Sequence, residues 1–302
     1  SEKFTLEFKA PKLIIGEATI SSFIKSERNS VVVYGAGVVN TSTLAHVPIN
    51  AYFQPSRVID NTLDGRMGDP ISFYTEDFAY DFSGAHVINP KIINLVSPRT
   101  WGGVDGNTYR NLQVDNCLTS RIGVHAMLFG GAISNCTLTE KAIQVSGEGV
   151  LTVRNVTKSV SATTGNDIFS IVELRPDYGS DWNGTIDIDG FELHGGNVDF
   201  TGIERFAVVT LSFDGLKDFG KDMTYPTILI KNGTITASTN ANTPDTVHYV
   251  EMFKAAQDQT FINRAMPPLI SVENVEVIIP AGSPVTKAAP YRSPNAGTAN
   301  VT

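Results

Sequence analysis

Aliphatic and polar residues alternate with period two through VLTVRNVTKS, Val150 to Ser159, and the same phrase returns along the chain. It reads LQVDN ending at Asn116, AISN ending at Asn135, IDIDG ending at Gly190, ILIKN ending at Asn232 and ISVEN ending at Asn274. Two residues before the Asn or Gly stand Val114, Ile133, Val153, Ile188, Ile230 and Val272, all β-branched. Four residues before it stand Leu112, Gly131, Leu151, Ile186, Ile228 and Ile270. Period-two alternation running into a turn residue predicts a strand with one apolar face. Asn and Gly suit its end because both tolerate the left-handed backbone of a sharp bend.

The anchors lie 19, 20, 35, 42 and 42 residues apart. A period of about 20 residues suits one coil of a parallel β-solenoid, and the longer gaps fit one coil plus a loop, or two coils. A β-sandwich also alternates, but it gives no reason for one residue class to recur at one offset six times. The pattern therefore predicts an all-β chain, a single-stranded right-handed parallel β-helix with loop insertions. Residues 1–50 lack the phrase and read as an N-terminal cap or lead-in, 51–280 as the β-helix, and 281–302, rich in Pro, Ala, Ser and Thr, as an irregular tail. Within the body, His248 to Pro268 carries helix formers and predicts a short helical or looped excursion.

Composition narrows the partners. Charged residues make up 18% of the 302 residues and the formal net charge is −8, with no Lys/Arg run, which argues against nucleic acid. No apolar run approaches a membrane span. Ser1 to Ala10 is polar and mixed, so no signal peptide is read there; an extracellular role rests on another export route or on a chain that begins inside a larger protein. Cys117 and Cys136 each follow a corner Asn one coil apart and should stack at one strand spacing, ~4.8 Å, which permits a disulfide but is read as a ladder of free thiols, with no metal because no Cys or His partners lie at ligand spacing. No nucleotide loop, HExxH or GxSxG occurs, and no cofactor is expected.

The densest candidate chemistry is ELRPDYGSDW, Glu173 to Trp182. Glu173 and Arg175 share one side of a strand, and the loop after the proline offers Asp177, Tyr178, Asp181 and Trp182. Aromatic faces with carboxylates and a cation suit a sugar, which has apolar faces and hydroxyl edges. Two carboxylates from Glu173, Asp177 and Asp181 serve a glycoside hydrolase. Tyr178, His125 and Arg175 serve a lyase on an acidic sugar. Trp101, at the tip of the glycine-rich loop Ser97 to Asn107, is a further binding candidate. The bland alternative is a surface ion pair of Glu173 with Arg175 beside a turn. NTLDG at Asn61 carries one residue more than the NTDG of polygalacturonases, and no Asp-Asp pair or Gly-His-Gly follows, which excludes that assignment.

GVHAMLFGGAISNCTL, GEGVLTVRNVT, VELRPDYGSDWNGTIDIDGF and YPTILIKNGTI together resemble the β-helix body of bacteriophage tailspikes and preneck appendage proteins, over roughly residues 80–280. LRPDYGSDWNG is the most specific piece, similar to a DYGSxWxG phrase of that group. The resemblance implies an extracellular virion protein, typically a homotrimer, that binds a bacterial surface polysaccharide and in many members cleaves it. Depolymerase, non-cleaving adhesin and structural shaft all stay open at this point.

Overall fold

The computed structural model describes residues 5–9, 30–34, 57–59, 62–64, 71–72, 80–81, 86–97, 103–106, 108–159, 168–175, 181–201, 203, 205–212, 225–254, 268–293 and 300–302. Among these residues the structure is all-β, without a helix. Every strand pairing among the described residues is parallel, and together these strands build one many-stranded sheet.

The repeat sets the register. Val114 lies between Ile92 and Ile133, and the row runs on through Val153, Ile188, Ile230 and Val272. Each 35- or 42-residue gap is thus a single repeat with an insertion, because Arg154 pairs directly with Asp189 and Asp189 with Lys231. Ile92, Val114, Ile133, Val153, Ile188 and Ile230 are at most 1% exposed, so the row is continuous core. Burying one such side chain stabilises the fold by about 1.5–3 kcal/mol.

The turn residues behave as their chemistry dictates. Among the described residues, all eight non-glycine residues with positive φ are asparagines, including the five corner asparagines of the repeat, at 51° to 54°, and Gly190 joins them at 79°. Their amides form ladders along the stack. Asn116 Nδ2 donates to Asn94 Oδ1 at 2.7 Å, Asn155 Nδ2 to Asn135 Oδ1 at 3.2 Å, and Asn274 Nδ2 to Asn232 Oδ1 at 2.8 Å. Asn135 and Asn232 donate instead to the carboxylates of Asp115 and Asp189. One position earlier, an outward row reads Asp115, Ser134, Arg154, Asp189, Lys231, Glu273. No two like charges are adjacent in it, which removes the repulsion that stacked identical charges would create.

Inward positions past the corner show how the core is filled. Phe191 lies between Val156 and Gly233, and a Cβ on Gly233 would stand 1.9 Å from the Phe191 ring. The ring occupies the volume that the glycine leaves. Gly233→Ala is expected to cost about 1–3 kcal/mol by overpacking, measured as a fall in urea midpoint. Phe191→Val together with Gly233→Val should recover most of that loss, since Val156 and Val275 already hold this row in the neighbouring strands. Additive losses in the double variant would contradict this packing.

Two stretches differ from expectation. Helix formers in His248 to Lys254 yield to the strand Thr246–Lys254, because Val250 and Met252 must enter the core beside Val209 and Leu211. The remainder of that stretch, 255–267, lies outside the described residues. Parallel pairing also continues into the stretch read as a tail, through Lys287–Arg292 and Asn300–Val301. Of the lead-in, Thr5–Lys9 pairs with Ser30–Tyr34. Cys117 and Cys136 are buried free thiols, donating to the carbonyls of Asp115 and Ser134 at 3.2 and 3.0 Å.

Candidate functional site

A third strand position in the repeats carries a row of polar and charged residues. Ile143, Val172, Val209, Val250 and Tyr291 are in register, and one residue later so are Gln144, Glu173, Thr210, Glu251 and Arg292. Alternation sends Val172 and Leu174 into the core and Glu173 to the other side. Parallel neighbours are about 4.8 Å apart, so this outward row is a polar stripe along the stack.

Glu173 is the centre of one end of the stripe. Gln144 Nε2 donates to Glu173 Oε2 at 2.7 Å, and Arg175 Nε lies 3.9 Å from Glu173 Oε1. The Glu173 side chain is 12% exposed and that of Arg175 32%. Lys141 is half-buried here; burial and the Arg121 guanidinium lower its pKa, against the fields of Glu173 and Glu140. Lys158 lies inside the stack, between Leu138 and Leu193 in register, and is 1% exposed. Its Nζ donates to the Glu140 carbonyl and lies 5.6 Å from the centre of the Phe169 ring. Burial pushes Lys158 down to about 7, with Glu140 and Glu173 opposing that fall. The corner therefore gathers two carboxylates, Glu140 and Glu173, and three cations, Arg121, Lys141 and Arg175, while Lys158 lies behind it in the core and is only partly charged at neutral pH.

Further along the stripe, Glu251 is buried among cations. Arg292 Nη1 is 3.3 Å and Arg205 Nε 3.7 Å from its Oε1, and His248 Nδ1 is 3.6 Å from its Oε2. Burial and then Arg292 hold His248 at about 4, so it is neutral at pH 7. With its carboxylate 3% exposed, Glu251 has little room to meet a substrate and is best understood as ion pairing that ties its own strand to those of Arg205 and Arg292.

The residues singled out from sequence divide sharply. Glu173 and Arg175 stand together as expected. Asp181 and Trp182 do not stand on an exposed loop: they are 0% and 1% exposed, and Trp182 is a core residue in register with Gly147. The alternation of the following strand, Trp182–His194, begins at the tryptophan itself and carries it inward. A buried indole offers no face to a sugar. Asp177, Tyr178 and Trp101 lie outside the described residues, as does the His125 side chain, whose backbone runs in Ile122–Ser134. Sequence reasoning missed Gln144, Lys141, Lys158 and Arg121. The signal for Gln144 was a second alignment, of IQV, VEL, VTL and VEM at residues 143–145, 172–174, 209–211 and 250–252, which places it beside Glu173 directly.

Among the described residues no group of three or more His, Cys, Asp or Glu is placed to hold a metal ion, and no helix is long and apolar enough to cross a membrane. No family model, curated protein or solved structure matches the chain.

Proposed function

We propose that this chain is a single-stranded right-handed parallel β-helix of the bacteriophage tailspike type, carried on the virion as a homotrimer, which binds an acidic bacterial surface polysaccharide and cleaves a glycosidic bond in it. One observation carries the reading: Glu173, on the polar side of its strand, is held by Gln144 in a corner where three cations, Arg121, Lys141 and Arg175, accompany two carboxylates. Such an excess of positive charge favours an anionic sugar over a neutral one. In hydrolysis Glu173 acts as the acid or base, and Glu140, whose field also reaches Lys141, is the second carboxylate of the corner. Elimination from a uronate is the second chemistry, favoured by the half-buried Lys141, whose lowered pKa leaves a larger unprotonated fraction at neutral pH than an exposed lysine has, with Arg175 facing the sugar carboxylate.

The test incubates the protein with capsules and lipopolysaccharides from a range of bacteria. New reducing ends mark hydrolysis, and ultraviolet absorbance of an unsaturated uronate marks elimination. Cleavage is expected to be confined to acidic polymers. Binding without either product would make the protein an adhesin, and neither binding nor product would leave it a structural shaft. Light scattering is expected to give three chains per particle.

A further inference from the structure

Gln144 uses only half of its side-chain amide. Its Nε2 donates to Glu173 Oε2 at 2.7 Å, while its own Oε1 is buried and finds no hydrogen-bond partner among the described residues. The residue as a whole is 6% exposed. On the side away from Glu173 the residue in register is Gly123, which has no side chain to offer that oxygen. A buried carbonyl left without a donor is costly and calls for a reason.

The charge of Glu173 supplies one. The oxygens of an ionised carboxylate only accept, so Nε2 must face them and Gln144 Oε1 must turn away. A proton on Glu173 reverses that preference. Glu173 Oε1 lies 3.9 Å from Arg175 Nε, and a hydroxyl there would aim at a guanidinium that only donates. The proton therefore settles on Glu173 Oε2, where its O–H meets the N–H of Gln144. A half-turn of the amide about its last, soft torsion replaces that clash with a bond from the Glu173 O–H to Gln144 Oε1.

We propose that Gln144 is a positioning residue whose amide turns with the charge of Glu173, donating to the carboxylate through Nε2 and accepting from the carboxylic acid through Oε1. The inference rests on the reading of Glu173 as acid or base, since such a group must be held in both states within one cycle. The amide itself moves no proton; Glu173 exchanges its proton with substrate or water. The other charged groups here are Arg175 just after the Glu173 strand, Lys141 with Arg121 and Glu140 acting on it, and Lys158 in the core behind. Arg175 donates in either state and cannot follow the proton. Gln144 carries a donor and an acceptor on one carbon, so turning alone satisfies both states.

The experiment is infrared difference spectroscopy of the full chain, with glutamine labelled by heavy carbon at its side-chain carbonyl, as the pH is lowered until Glu173 is protonated. The Gln144 band is the one lost in Gln144→Met, and the Glu173 acid band is the one lost in Glu173→Gln. As the acid band grows, the Gln144 band is expected to move to lower frequency with the same midpoint, because its carbonyl gains a hydrogen bond. In Glu173→Gln that movement should be absent. A Gln144 band that stays in place while Glu173 takes up its proton overturns the proposal, and so does a movement that persists in Glu173→Gln. Turnover is the second arm: Gln144→Met is expected to lower kcat on the cleaved polysaccharide about tenfold or more, with KM within about twofold of wild type. Unchanged kcat in Gln144→Met would overturn the positioning role. A wild type that cleaves no polymer removes the catalytic reading of Glu173 alone, since the infrared arm decides the turning without substrate.

Discussion

Replacing Lys158 by Met is expected to stabilise the protein by up to about 5 kcal/mol at pH 6 and by almost nothing at pH 10.5. The row holding Lys158 shows why. Leu138 precedes it and Leu193 follows it, so an unbranched apolar side chain fits the same volume. Its amine is fully buried, with the Glu140 carbonyl as acceptor and the Phe169 ring beneath. Burial lowers its pKa from 10.5 to about 7. At pH 6 both folded and unfolded chains carry the proton, and the folded state bears the whole cost of an interior charge. Between about 7 and 10.5 the unfolded chain keeps a proton that the folded chain has released, so wild-type stability rises with pH across that window. Above it both forms are neutral and the cost is gone. Urea unfolding of both proteins at pH 6, 8 and 10 measures the gap. A gap independent of pH would mean that Lys158 is not a buried titrating group.

Glu173→Gln is expected to lower turnover of the cleaved polysaccharide about 10²-fold or more while costing about 0.5–3 kcal/mol of stability, because it removes a carboxylate from beside Arg175 and Lys141. The amide keeps the shape of the side chain and an oxygen for Gln144 Nε2, but it neither gives nor takes a proton at neutral pH. Packing is barely touched, because Val172 and Leu174, not Glu173, supply this strand's core contacts. A fall in affinity with unchanged turnover would recast Glu173 as a binding residue. Unchanged turnover and affinity would remove the corner from the mechanism.

The stack was legible because it repeats. Six phrases with a β-branched residue two before an Asn or Gly suffice to set the register, and the pairing of Arg154 with Asp189 and of Lys231 with Glu273 follows that alignment residue for residue. Lys158 was legible by the same rule: three residues after each corner stand Thr119, Leu138, Lys158, Leu193, Ile235 and Val277, and the lysine is the one charged residue. It went unread because attention to composition favours loops. The same bias misplaced Asp181 and Trp182. A local sequence rich in Asp, Gly and Tyr looks like an exposed turn, whereas the strand that starts at Trp182 is fixed by a partner 35 residues earlier, Gly147. Gln144 and Glu173 touch across 29 residues for the same reason. Contacts between neighbouring repeats follow from register alone, but only once each of the three strand positions has been aligned separately.

The most direct measurement of the account is a crystal structure of the Glu173→Gln protein with an oligosaccharide cut from the polymer that the wild type degrades. The account predicts a right-handed parallel stack with the corner residues Asn116, Asn135, Asn155, Gly190, Asn232 and Asn274 in one line, and the sugar seated against Gln144, position 173 and Arg175 with its acidic group toward Arg175 or Lys141. Antiparallel strands, or a glycan bound elsewhere with this corner empty, would contradict it.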